Sequence, residues 1–280
     1  MTSVLRYTAF ASTPEGGNPA GIVLDASGLT DSEMQAIAAD VGYSETAFLV
    51  EPAIGGDPRH ARVRYFTPGA EIPFCGHATV ASAVALARRD GLGTMVFETP
   101  AGPISILTTG EGDEVTAAFT SVEPKLGGLG DGVLQTLLDL LGVSRADLDP
   151  RFPSQLSYAG NWHPVLVFAD RGTFDGFTFD PAAMRALMDS EGWTGTVTTL
   201  FPIGEDEFEA RNLFPVGEVT EDPATGSAAA SVGGYLRTLG LAPDRLVIHQ
   251  GAHVGRPSLL TVDIPPTGGI VVSGTAVEIV

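Results

Sequence analysis

Short runs rich in β-branched and aromatic residues, each bounded by Gly, Pro or Asp, recur through the first half of the chain. Val4–Phe10, Thr46–Val50, Val63–Phe66, Met95–Glu98, Ile104–Leu107 and Val115–Phe119 read as strands. Between them, Leu29 to Val41 carries the cap signature Thr30-x-x-Glu33. Its apolar residues Met34, Ile37, Ala38 and Val41 form one helical face, predicting a helix that runs straight into Tyr43-Ser44-Glu45-Thr46. A second helix is expected from Gly76-His77 through Arg89. Ala, Val and Leu dominate it and its small residues permit close packing on every side, so it should be buried.

The stretch Glu123 to Asp131 has three Gly, one Pro and no periodicity, and reads as a linker. Beyond it the element types return. Asp131 is expected to cap a helix bearing Leu134, Leu137, Leu138 and Leu141, and Asp180-Pro181 one bearing Met184, Leu187 and Met188. Strands follow at Val165–Phe168, Thr196–Phe201 and Phe208–Leu213. Arg64-Tyr65-Phe66-Thr67-Pro68 is echoed by Arg211-Asn212-Leu213-Phe214-Pro215. Continued without gaps, the echo pairs Glu71 with Glu218, Ile72 with Val219 and Cys75 with Asp222, and each copy then enters a small-residue helix. Two halves, 1–122 and 131–280, are expected, with central helices near 76–90 and 225–239. The C-terminal strand is a candidate to cross back to the first half.

Composition narrows the function classes. At 280 residues with 44% hydrophobic content the chain can bury two cores. Its 35 Gly and 20 Pro are spread between apolar runs, as many short turns require. A formal charge of −19 argues against a nucleic-acid partner, because phosphate-backbone binding depends on Lys and Arg. The single cysteine, Cys75, excludes an internal disulfide and a Cys-based zinc site. No cleavable leader is expected at Met1–Phe10 and no run of 18 apolar residues occurs, so a cytoplasmic protein without membrane contact is expected.

A strand that turns tightly into a helix of Gly, Ala and Ser presents free backbone N–H groups at the positive end of the helix dipole, a receptor for carboxylate. If the halves face each other, the starts at Gly76-His77 and Gly226-Ser227 can converge on one anion, with Cys75 and Asp222 beside it. His249 and His253 lie four apart, but Gly251 and Gly255 argue against the helix that would align them as metal ligands.

Six segments carry a resemblance across nearly the whole chain. They are Gly17-Asn18-Pro19-Ala20-Gly21, Ser44-Glu45-Thr46-Ala47-Phe48, Arg64–Pro68, Ile72-Pro73-Phe74-Cys75-Gly76-His77-Ala78-Thr79, Glu221-Asp222-Pro223-Ala224-Thr225-Gly226-Ser227, and Gln250-Gly251 with Gly255–Ser258. In order and spacing they resemble the PhzF-like phenazine-biosynthesis family. The resemblance implies an α+β, diaminopimelate epimerase-like fold: two similar domains in pseudo-twofold relation, each a β-sheet wrapped around a central helix. It implies an isomerase that needs no metal or organic cofactor, works on a small carboxylic acid, and forms a homodimer. Glu45, His77 and Asp222 would be its catalytic residues. Asn18, Cys75, Gly76, Thr225, Gly226 and Ser227 would contact substrate.

Each residue has a structural reading beside that one. Glu45 alone is an exposed loop carboxylate, whereas as a general acid/base it needs a pKa raised by burial. His77 can simply cap its helix, whose dipole should keep the ring neutral. Asp222 can be an N-cap and Ser227 an ordinary first-turn residue. Cys75 is a pocket-lining residue or, with its thiol pKa lowered by the helix start, an accessory acid/base. His163, at a strand start, resembles a second-half position near the pocket. A racemase would need a base on each face of its carbon. With Asp222 opposite Cys75, a single-base proton shift is favoured over a two-thiol racemase. A binding protein that has kept the fold without catalysis is the third reading.

Overall fold

Alternation of side chains makes the strands. In His60–Phe66, Ala61, Val63 and Tyr65 point into the core while Arg62 faces solvent. The structure, a computed structural model, describes residues 2–111, 114–217 and 219–280. The first of its two compact units comprises Met1–Thr120 with Ser273–Val280. It runs β1 (Leu5–Ala9), β2 (Asn18–Val23), α1 (Asp31–Val41), β3 (Glu45–Glu51), β4 (His60–Phe66), β5 (Glu71–Ile72), α2 (Gly76–Asp90), β6 (Gly93–Thr99), β7 (Gly102–Glu111) and β8 (Glu114–Thr120).

The second unit, Ser121–Val272, contains β9 (Lys125–Gly127), α3 (Asp131–Leu141), β10 (Gln155–Tyr158), β11 (Trp162–Val167), α4 (Arg171–Gly176) and α5 (Pro181–Glu191). It continues with β12 (Val197–Pro202), β13 (Glu207–Leu213), β14 (Glu221–Asp222), α6 (Gly226–Thr238), β15 (Arg245–Gln250) and β16 (Ser258–Asp263), then leads into β17 (Val271–Glu278). From Ser273 onward β17 belongs to the first unit, where it pairs antiparallel with β1. No helix among the described residues is long and apolar enough to cross a membrane.

The pairing pattern of the first unit is repeated in the second. β1–β2 is antiparallel, β2–β3 parallel, β3–β4 antiparallel, β4–β6 parallel and β6–β7 antiparallel. β10–β11, β11–β12, β12–β13, β13–β15 and β15–β16 follow the same order of directions. In each unit the sheet wraps one helix. Every residue of α2 from His77 to Ala87 is buried, and the helix packs against β1, β2, β3, β7 and β8. In α6, Ala228 to Leu236 are buried against β9, β10, β11 and β16. Two glycines let it fit: a Cβ on Gly233 would lie 2.9 Å from the Ile270 side chain, and one on Gly234 only 2.3 Å from that of Pro124.

Outside the second sheet, α3 and α5 bury Leu134, Leu137, Leu138, Leu141, Met184 and Met188 with Phe168, Phe174 and Trp193. This is an α+β fold of the epimerase-like kind.

Three sequence readings need correction. The cap of α3 is Gly130, with Asp131 its first helical residue. The linker stretch contains β9, which pairs with β10. The gapless echo also slips: Arg64 pairs with Glu71, but Arg211 pairs with Glu221, because the turn at Pro215–Gly217 lengthens the second copy. Cys75 and Thr225 are the N-caps of α2 and α6. Cys75 therefore corresponds to Thr225 rather than Asp222, and His77 to Ser227. Glu218 lies outside the described residues.

Candidate active site

The chemistry of the first unit collects where β3 begins and α2 starts. Glu45 opens β3 beside β2, in register with Ala20. Cys75 caps α2 in extended conformation, and His77 lies in its first turn. His77 Nε2 is 3.2 Å from Glu45 Oε2, and Cys75 Sγ is 3.4 Å from His77 Nδ1. The Glu45 and His77 side chains are only 12% and 7% exposed. Glu45 Oε2 and the imidazole are close enough for an ion pair yet not aligned for a hydrogen bond, so this buried oxygen accepts none within the protein. One donor atom from each of the three residues lies within 4.8 Å of the others, a spacing that would also suit a divalent cation.

These groups set one another's protonation. Burial pushes the Glu45 carboxyl up, but the charge of His77, with the polar groups of Ser44 and Cys75 close by, outweighs it and holds the carboxyl below its ordinary value. Burial opposes the His77 imidazolium, and is outweighed by the Glu45 carboxylate together with the close contact to Cys75, leaving the ring well above its ordinary value. Burial and the nearby Glu45 carboxylate push the Cys75 thiol up. Two expectations are reversed: Glu45 is lowered rather than raised, and His77 is raised despite the helix dipole. Of the two readings of Cys75, the raised thiol fits the pocket-lining residue rather than an activated thiolate. A neighbouring charge inside a buried cluster outweighs a half-charge at a helix end.

Supporting contacts here are invisible to motif reading. The Thr79 hydroxyl donates to the Cys75 carbonyl at 2.8 Å, so Tyr65, buried and 2.6 Å away, donates to Thr79. Asn18, buried at the start of β2, accepts from the Ser44 hydroxyl at 3.5 Å, next to Glu45. Gly76 is the first residue of α2.

In the second unit, Asp222 ends β14, opposite Asn212 of β13, and the Thr225 hydroxyl donates to its Oδ2 at 2.5 Å. Gln250, buried and absent from the sequence candidates, joins them by donating to the Asp222 carbonyl at 2.6 Å and to Thr225 Oγ1 at 3.1 Å. Gly226 opens α6, and Ser227 lies 3.1 Å from His163 Nε2. Matching strand registers put Thr196 where the first unit has Glu45, since Thr46 faces Phe66 and Val197 faces Leu213. The equivalents of Glu45, Cys75 and His77 are thus Thr196, Thr225 and Ser227, which have no charge to offer. His249 and His253 do not meet; they pair with Glu207 and Asp175 respectively.

A duplicated sheet-around-helix fold, with a buried cluster of Glu45, Cys75 and His77 in its first unit, is that of the epimerase-like class of isomerases, as the comparisons show. Residues 7–280 match the sequence model of the phenazine biosynthesis-like (PhzC-PhzF) proteins, and the chain belongs to that family. It is 30% identical to an uncharacterized isomerase of Bacillus subtilis, covering 98% of this chain and 95% of that one. It is 32% identical to the trans-2,3-dihydro-3-hydroxyanthranilate isomerase of Pseudomonas chlororaphis, covering 90% and 86%. Among solved structures, a Bacillus anthracis protein of the PhzF family superposes with a TM-score of 0.85 at 28% identity, covering 99% of this chain and 96% of that one. A predicted epimerase of Pseudomonas aeruginosa gives 0.85 at 26%, covering 100% and 98%. The protein is an isomerase.

Proposed function

We propose that the protein shifts a carbon-bound proton on a small carboxylic acid, aromatic or bearing an amino or hydroxyl group, with Glu45 as the general acid/base. The observation that carries this reading is the buried Glu45 Oε2, ionised beside His77 and without a hydrogen-bond donor of its own. Such an oxygen keeps an unused lone pair that would receive the proton of a C–H bond brought against it, and the adjacent imidazolium can offset charge that develops on the substrate. Asp222, Thr225, Gly226 and Ser227 act in the proposal as the second unit's contribution, Asp222 as a catalytic partner and the others as substrate contacts. Asn18, Cys75 and Gly76 line the site of the first unit. The P. chlororaphis relative, named for an amino hydroxy acid, supports this substrate class.

The asymmetry between the units favours one base over two. A racemase reading would have to run on Cys75, whose thiol is held protonated by burial and Glu45. The scheme draws its acid and base from side chains and asks nothing of a cofactor. A cytoplasmic homodimer is part of the same proposal, checked by cell fractionation and sedimentation.

Incubation with a substrate in deuterated water tests the assignment. Glu45→Gln should keep fold and ligand binding yet lower deuterium incorporation at carbon by at least ~100-fold. Undiminished incorporation would refute the role of Glu45.

A further inference from the structure

His163 of β11 is completely buried and joins two neighbours. Its Nδ1 lies 3.0 Å from the Thr196 carbonyl oxygen and 3.1 Å from Thr196 Oγ1, and its Nε2 lies 3.1 Å from Ser227 Oγ. A carbonyl oxygen can only accept, so Nδ1 carries a proton. The Thr196 hydroxyl does not compete to protonate that nitrogen, because it donates to Asn212 Oδ1 at 2.9 Å. Room for the ring is made by Gly195, where a Cβ would lie 2.7 Å from His163 Cε1.

Burial lowers the His163 pKa to about 4, and the ring is neutral. With its one proton on Nδ1, Nε2 is a bare acceptor and the Ser227 hydroxyl must donate to it. Ser227 Oγ makes no other hydrogen bond among the described residues and is left with lone pairs alone. It sits in the first turn of α6, half-buried and reachable by a ligand.

We propose that His163 fixes the Ser227 hydroxyl as a hydrogen-bond acceptor, so that Ser227 Oγ takes a donor group of the substrate, a hydroxyl or ammonium, rather than an oxygen of its carboxylate. The inference rests on the isomerase reading for its ligand and narrows it: an acid bearing an amino or hydroxyl group is preferred over one with a carboxylate alone. His163 is a positioning residue acting through Ser227, occupying the register position that Ala20 holds in the first unit.

The test uses the full-length protein in two measurements. Long-range proton–nitrogen spectra of histidine-labelled protein, assigned with His163→Phe, should show one tautomer, protonated at Nδ1 and bare at Nε2, from neutral to mildly acidic pH. Calorimetry then compares 3-hydroxyanthranilate, which carries carboxylate, amine and hydroxyl together, with benzoate, which has the carboxylate alone. The wild type should prefer the former by about tenfold, the size of one good hydrogen bond. Ser227→Ala and His163→Phe should bring the ratio close to one while circular dichroism stays native. Glu45→Gln should leave the ratio intact, so a failed base assignment and a failed acceptor assignment read separately. Protonated Nε2, an absent preference, or a preference that survives Ser227→Ala overturns the inference.

Discussion

At the scale of single residues, protonation of the Glu45–His77 pair sets the working range. The carboxyl is held low and the imidazolium high, so both are in their charged forms across neutral pH. Turnover per bound substrate should therefore show a broad plateau, falling on the alkaline side as His77 loses its proton and on the acid side as Glu45 gains one. His77→Gln removes the charge that lowers the carboxyl and leaves the burial that raises it. The acid limb of the profile should then move to higher pH, and a limb that stays put would contradict the pairing. Both members of the pair stabilise the fold, with opposite dependence on pH. The part belonging to His77 is full below the ordinary histidine value of about 6.5 and is lost as pH rises through its raised value. The part belonging to Glu45 is present above its unfolded value and is lost as pH falls. Cys75, protonated and buried, should tolerate Cys75→Ala with activity kept within about tenfold, whereas a racemase using its thiol would lose at least ~100-fold.

At the scale of elements, each short strand before a central helix is held by an arginine. Arg64 binds Glu71 through Nε and Nη2, both at 2.7 Å. Arg211 is buried; it pairs with Glu221 at 2.6 Å, donates to the carbonyls of Phe174 and Phe177, and lies 3.6 Å over the Phe177 ring. Arg211→Met strands the Glu221 carboxylate and should cost about 3–5 kcal/mol in denaturant unfolding. It should also loosen β14, and with it Asp222. Gly251 follows Gln250 at φ 79°, and a Cβ there would lie 2.3 Å from the Arg256 carbonyl and 2.6 Å from that of Pro223. Most of these elements were legible. The capping box at Thr30–Glu33, the small-residue run after Cys75 and the leucine face of α3 each state their structure locally. β2 was not, because Asn18-Pro19-Ala20-Gly21 holds residues disfavoured in strands and becomes one by pairing with β1 and β3. β9, three residues ending in Gly, hides in the linker for the same reason.

At the scale of the whole molecule, the first unit is closed by the last residues of the chain. β17 pairs with β1, and the Thr275 carbonyl accepts from Phe10, whose φ of 64° is the one positive value among the described non-glycine residues. Removing 273–280 should raise hydrogen exchange in β1, β2 and α2 while the leucine core beneath α3 stays protected. Uniform loss of protection would mean that the two units unfold together. By itself the sequence determined the recurrent strand–turn–helix unit, the family, and the residue types at Glu45, Cys75, His77, Asp222 and Ser227, because periodicity, caps and contiguous motifs are local properties. Only the tertiary structure decided the true register of the two halves, the charge states of the cluster, and the parts played by Tyr65, Thr79, His163 and Gln250. Those depend on burial and on contacts between residues far apart in the chain, where a neighbour's charge or a single carbonyl oxygen outweighs anything adjacent in sequence.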